Sequence, residues 1–171
     1  MPEGLVLAFD FGLKWIGVAT GQTITTTATP LTTLKANNGK PLESATRALI
    51  SEWRPVALLV GLPLNMDDTE NEISKKARSF ASWLATLTDL PVELVDERLS
   101  TREANNRRGK PRTGKPDDPS HAEAACVIAE TWLNGYPGTR SKRPISPAPS
   151  TTCSSEPAQT LRFIMEQPAS T

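Results

Sequence analysis

Apolar and polar positions along this chain change period several times, and each change marks an element. Leu5 to Phe11 is an apolar run broken only by Asp10, and Trp15 to Thr20 follows after a glycine-containing turn, which predicts a β-hairpin. The threonine-rich stretch Thr23 to Pro30 predicts a third, antiparallel strand. Leu42 to Trp53 carries Ala45, Leu49 and Trp53 at helical spacing and stops before Pro55. Val56 to Val60 is a continuous apolar run, the pattern of a strand buried on both faces, and Gly61-Leu62-Pro63-Leu64-Asn65-Met66 reads as a loop. Glu70 to Leu87 places Ile73, Ala77, Phe80, Ala81 and Leu84 along one helix face. After Pro91, Val92 to Asp96 predicts another buried strand. Ser100 opens a helix with Glu103 at the capping-box spacing, and His121 to Leu133 predicts the last helix. The order βββαβαβα implies an α/β fold: a mixed sheet, antiparallel at one side and parallel where helices cross over, flanked by helices.

Composition bounds this picture. A chain of 171 residues, 37% of them hydrophobic, can bury one core, and no internal repeat is visible. From Pro137 onward the character changes: residues 138–171 hold five further prolines and eleven serines and threonines, with a short apolar cluster at Leu161 to Met165. Such a stretch cannot bury enough apolar surface to offset its ordering entropy, so the division expected is one domain over 1–136 and a disordered tail over 137–171. No apolar run approaches the ~18 residues of a membrane span. The start Met-Pro-Glu-Gly lacks a signal peptide's basic and apolar regions, so a cytoplasmic location without membrane contact is expected. Cys126 and Cys153 fit neither a disulfide framework nor a zinc site, and Cys126 reads as core.

The formal net charge is zero, but it conceals a cluster: seven basic residues against one acid between Arg98 and Lys115. By composition alone this reads as a solvated loop; the alternative is a patch that neutralises phosphates. A carboxylate at the end of a buried strand is costly unless a cation or hydrogen bonds compensate it, which makes Asp10 the first candidate ligand. Asp96-Glu97 ends a later parallel strand, and Asp117, Asp118, His121 and Glu123 surround the start of the last helix. Sites in such sheets gather at strand ends near a change of strand order. Acids with an imidazole suit Mg²⁺ or Mn²⁺, and two such ions can serve phosphodiester hydrolysis. Successive strand residues face opposite ways, so one of Asp96 and Glu97 faces the site; Glu97 is preferred and Asp96 is the reserve. The bland alternatives are ion pairs with Arg98 or Arg102 and capping of the last helix by Asp117-Asp118. Trp15, Trp53, Trp83 and Trp132 sit in periodic segments and read as core or helix-face residues rather than stacking platforms.

Three motifs in order, Ala8-Phe9-Asp10-Phe11-Gly12 with Ile16-Gly17-Val18-Ala19, Val60-Gly61-Leu62-Pro63-Leu64-Asn65-Met66-Asp67, and Asp96-Glu97-Arg98-Leu99-Ser100-Thr101, resemble the YqgF family of pre-16S ribosomal RNA nucleases, also proposed as Holliday-junction resolvases. The resemblance spans Leu5 to Leu133. It implies an RNase H-like fold and Mg²⁺- or Mn²⁺-dependent hydrolysis of nucleic acid in the cytoplasm, at the 5′ end of 16S rRNA. Branched DNA and ribosomal precursor particles are further candidate partners. By the resemblance Asp10 ligates metal and Glu97 is the second acid. Asn65 contacts substrate or a water, Gly12 allows the turn beside Asp10, and Arg98, with Arg102, Arg107 and Arg108 of the basic loop, meets the phosphate backbone. The family pattern has an aspartate where this chain aligns His121, so the third ligand is open between His121 and Asp118. For Gly12, Gly17 and Pro63 turn and packing geometry is the simpler account.

Other classes remain to be weighed. The actin and Hsp70 type of nucleotide-binding domain has a similar first hairpin, but it needs a second domain for which this chain has no room. An rRNA-binding assembly factor that has lost hydrolysis through the altered third ligand is another alternative, and a junction resolvase is the alternative among enzymes.

Overall fold

A computed structural model of the chain describes residues 3–63, 71–96 and 119–135. Among these the elements run β1 (Leu5–Asp10), β2 (Trp15–Gln22), β3 (Thr27–Asn37), β4 (Lys40–Pro41), α1 (Glu43–Trp53), β5 (Ala57–Leu62), α2 (Glu72–Thr88), β6 (Val92–Asp96) and α3 (Ser120–Leu133). The strands form one sheet in the order β4-β3-β2-β1-β5-β6. Strands β1 to β4 pair antiparallel, whereas β5 runs parallel to β1 and β6 parallel to β5. This is the mixed α/β sheet that the pattern predicts, with the change from antiparallel to parallel falling at β1.

Several boundaries differ, for local reasons. The third strand begins at Thr27 rather than Thr23, because the reversal that brings β3 back along β2 lies inside the threonine run, with Thr26 at φ 53°. The Thr23 hydroxyl accepts the Gly4 N–H at 2.8 Å, so a residue suited to strands serves the turn instead. The short strand β4 is additional. Asn38 and Gly39 both have positive φ, and Asn37 pairs with Lys40 across them, the geometry of a two-residue hairpin. Gly61 and Leu62 belong to β5, not to the loop, since they pair with Val95 and Asp96. In α2 the buried stripe runs through Ser74, Ala77, Phe80, Ala81, Leu84 and Ala85, and Ile73 lies one position off it, 42% exposed. Ser74 holds its place on that stripe by bonding the Pro63 carbonyl and the Asn71 carboxamide, which ties the start of α2 to the end of β5.

Each face of the sheet has its own core. Leu7 and Phe9 of β1, and Phe11 just beyond it, pack with Leu58 and Val60 against α1 and α2, where Phe80 meets Phe9 edge-on at 5.8 Å. Val6 and Ala8 pack with Leu59 and Val95 against Ile128, Ala129, Trp132 and Leu133 of α3. The buried Trp132 indole donates to Glu93 Oε2 at 2.7 Å, fixing the C-terminal half of α3 on β6. Cys126 is buried with Ala19 and Ala125, as core. No helix among the described residues is long and apolar enough to cross a membrane.

Candidate active site

The alternation of β1 decides where Asp10 points. Val6 and Ala8 face α3, and Asp10 is next in the same series, only 3% exposed at the strand's end. Its partner across the hairpin is Gly17, which shares its face.

Gly17 is where the last helix begins to cross the sheet. A Cβ there would collide with the carbonyl group of His121, so the backbone of α3 lies directly against β2 at this point. The approach is continued by small residues on both elements. Ala19 packs on Ala125, and a Cβ at Gly21 would touch Ala129. Any larger side chain at Gly17 would lift the first turn of α3 away from the strand that carries Asp10. The first turn of α3 therefore lies over the strand position paired with Asp10. Gly12 makes the turn between them equally tight, since a Cβ there would meet the Trp15 carbonyl. Packing geometry, the simpler account of both glycines, is thus what brings the two candidate ligands to one face.

His121 is 8% exposed, and its Nε2 has no hydrogen-bond partner among the described residues. A buried imidazole nitrogen without a partner forfeits ~1–3 kcal/mol of solvation, and such atoms in folded proteins call for a reason. The N-cap of α3 is Pro119, which offers no side-chain cap, so the helix start is not organised around a capping carboxylate at that position.

Asp96 does not join this pair. Val92 and Leu94 belong to the core under α1 and α2, and Asp96 follows them on that face, beside Leu62. Asn65, Glu97, Arg98, Arg102, Arg107, Arg108, Asp117 and Asp118 lie outside the described residues, as do the helix expected at Ser100 and the segment 137–171. Among the described residues no group of three or more His, Cys, Asp and Glu side chains could hold a metal ion. By donor chemistry the buried carboxylate suits Mg²⁺ or Mn²⁺, and a neutral imidazole nitrogen, here without a partner among the described residues, could join it on Mn²⁺.

The architecture has parallels among solved structures. Thermus thermophilus RuvC in complex with a Holliday junction substrate superposes with a TM-score of 0.54 over 82% of this chain and 98% of that one, at 19% identity. A second T. thermophilus RuvC structure gives 0.50 at 13% identity. At such identities the likeness concerns the fold, which is RNase H-like in the manner of RuvC.

Sequence comparison goes further than the fold. The chain belongs to the RuvX family, described as Holliday junction resolvase, which matches residues 4–135. A protein of Saccharophagus degradans is 43% identical over 141 residues, 81% of this chain and 99% of its own length. One of Pseudomonas putida is 48% identical over 132 residues, 75% and 94% respectively. Both carry the name "Putative pre-16S rRNA nuclease". The chain is accordingly a nuclease, an enzyme that hydrolyses phosphodiester bonds.

Proposed function

We propose that this nuclease matures the 5′ end of pre-16S rRNA in the cytoplasm, with a divalent metal held between Asp10 and His121. The observation that carries the site is the buried Nε2 of His121, without a hydrogen-bond partner among the described residues, at the start of the helix that covers the face to which Asp10 points. The names of the relatives at 43–48% identity support the RNA substrate. Bound Mg²⁺ or Mn²⁺ would supply Lewis acidity at the phosphate and lower the pKa of an attacking water. Asp10 contributes an anionic oxygen from a rigid strand end, and α3 seats His121 through Gly17, so neither donor has to be ordered during the reaction. Glu97 is the second acid in this reading. The family resemblance supports that role for Glu97, and Asp96 itself lies on the far face. Asp118 is the further carboxylate, Arg98, Arg102, Arg107 and Arg108 are the phosphate contacts, and Asn65 contacts substrate or a water.

A second reading, cleavage of four-way DNA junctions, is favoured by the family's description and the RuvC fold. One experiment separates the two. A labelled pre-16S 5′ leader and a four-way junction are incubated with wild type or Asp10→Asn, in Mg²⁺, Mn²⁺ or EDTA. The expected outcome is metal-dependent cutting of the leader, reduced ~10³-fold or more in the variant. Preferential junction cutting would replace the RNA reading with the resolvase one. Cutting that survives in Asp10→Asn would remove Asp10 from the centre, and RNA binding without cutting by the wild type would indicate an assembly factor.

A further inference from the structure

On the face opposite His121, a groove of about 620 Å³ opens between the β3–β4 hairpin and α2, lined by Phe11, Lys40, Glu43, Lys76, Phe80 and Trp83 among others. We infer that this groove holds the base and phosphate of an unpaired nucleotide of the substrate, so that the enzyme grips single-stranded nucleic acid on the face of the sheet opposite its cleavage site. The inference rests on the reading of Asp10 as the cleavage centre.

The groove is joined to that centre by covalent and hydrogen-bonded structure. Phe11, in its wall, follows Asp10 directly, and the turn after it accepts two backbone bonds from the hairpin: Ala36 N–H to the Lys14 carbonyl at 2.8 Å and Gly39 N–H to the Leu13 carbonyl at 2.9 Å. Groove and catalytic strand end therefore share one rigid corner of the sheet. The floor is aromatic. Trp83 is half-buried and stacks near Phe80, with centroids 5.9 Å apart and 27° between the rings. Trp83 thus presents a platform that its helical periodicity concealed.

The rim is cationic. Lys76 reaches from α2 to Asn38 at the hairpin tip, with Nζ 2.7 Å from Oδ1, and Lys40 is exposed beside it. Glu43, the groove's acid, is engaged by Arg47 at 2.8 Å, and neighbouring Lys75 pairs with Glu72. Lys40 and Lys76 have no acidic partner among the described residues. An aromatic floor under two uncompensated ammonium groups suits a planar base attached to a phosphate. An apolar peptide would gain nothing from that charge. A base still stacked in a duplex could not enter, which confines the site to unpaired nucleotides.

The test is fluorescence anisotropy of a labelled hexauridylate with the full chain, carried out on wild type, Trp83→Leu, Lys40→Glu and Asp10→Asn. Trp83→Leu keeps an apolar side chain in the wall, Lys40 is exposed, and thermal midpoints verify folding. The expected result is affinity about tenfold weaker in Trp83→Leu, a shallower salt dependence in Lys40→Glu, and wild-type affinity in Asp10→Asn. Absence of binding by the wild type, or equal affinity in wild type, Trp83→Leu and Lys40→Glu, overturns the assignment. Because the readout is binding, it stands apart from cleavage: if Asp10→Asn still cut RNA, the centre would be wrong while the groove result held.

Discussion

The two faces of the sheet are packed by opposite rules. Under α1 and α2 the strands present Leu7, Phe9, Phe11 and Val60 to Phe80, Leu84 and partly buried Trp83, large side chains that hold the helices off and leave a groove at the hairpin corner. Under α3 the contacts at the start of the helix are Gly17, Ala19 and Gly21 against the His121 backbone, Ala125 and Ala129. The difference shows what each face is shaped for. Bulky residues pack throughout one side; on the other, Ile128, Trp132 and Leu133 fill the core with Leu59 and Val95, while the small residues along β2 give up buried area so that a helix carrying an imidazole can approach the strand paired with the one that carries a carboxylate.

Substitutions can break this asymmetry in graded ways. His121→Ala is expected to lower cleavage ~10²-fold with little change in thermal midpoint, because the cavity it leaves is offset by removal of a buried nitrogen that has no partner among the described residues. Single-turnover cleavage beside a melting curve checks both halves. Gly17→Ala should act through position: the added methyl forces the first turn of α3 off β2, at a cost of ~1–3 kcal/mol in urea unfolding, with a partial loss of cleavage that exceeds the loss of folded protein. Asp96→Asn, on the other face, should have the smallest effect and cleave near the wild-type rate. A rate as low as that of His121→Ala would erase the distinction between the faces.

How much of this was legible in the sequence depends on the range of the signal. The buried run ending in Asp10 and the helices of α1, α2 and α3 follow from periodicity, which is local, and the structure places them within two residues or so. The β3–β4 hairpin had a local signal too, Asn38-Gly39, masked because β4 is only two residues long and β3 is of mixed polarity. Thr23 to Thr26 misled because β-branched residues favour strands, whereas their hydroxyls also satisfy a turn. That α3 starts over Gly17, the residue paired with Asp10, was legible only as a gathering of strand and helix ends. What brings helix and strand together is the close approach at Gly17, and a glycine within a strand signals such an approach without naming the partner. Choosing between Asp96 and Glu97 needed the phase of β6, which the sequence leaves free and the packing of Val92 and Leu94 sets for Asp96.

The most direct measurement is Mn²⁺ binding, followed by electron paramagnetic resonance in wild type, Asp10→Asn, His121→Ala and Asp96→Asn. A site on the α3 face predicts that Asp10→Asn and His121→Ala each weaken binding by more than about tenfold while Asp96→Asn binds as the wild type does. Equal binding in all four proteins, or a loss confined to Asp96→Asn, would contradict the pairing of Asp10 with His121.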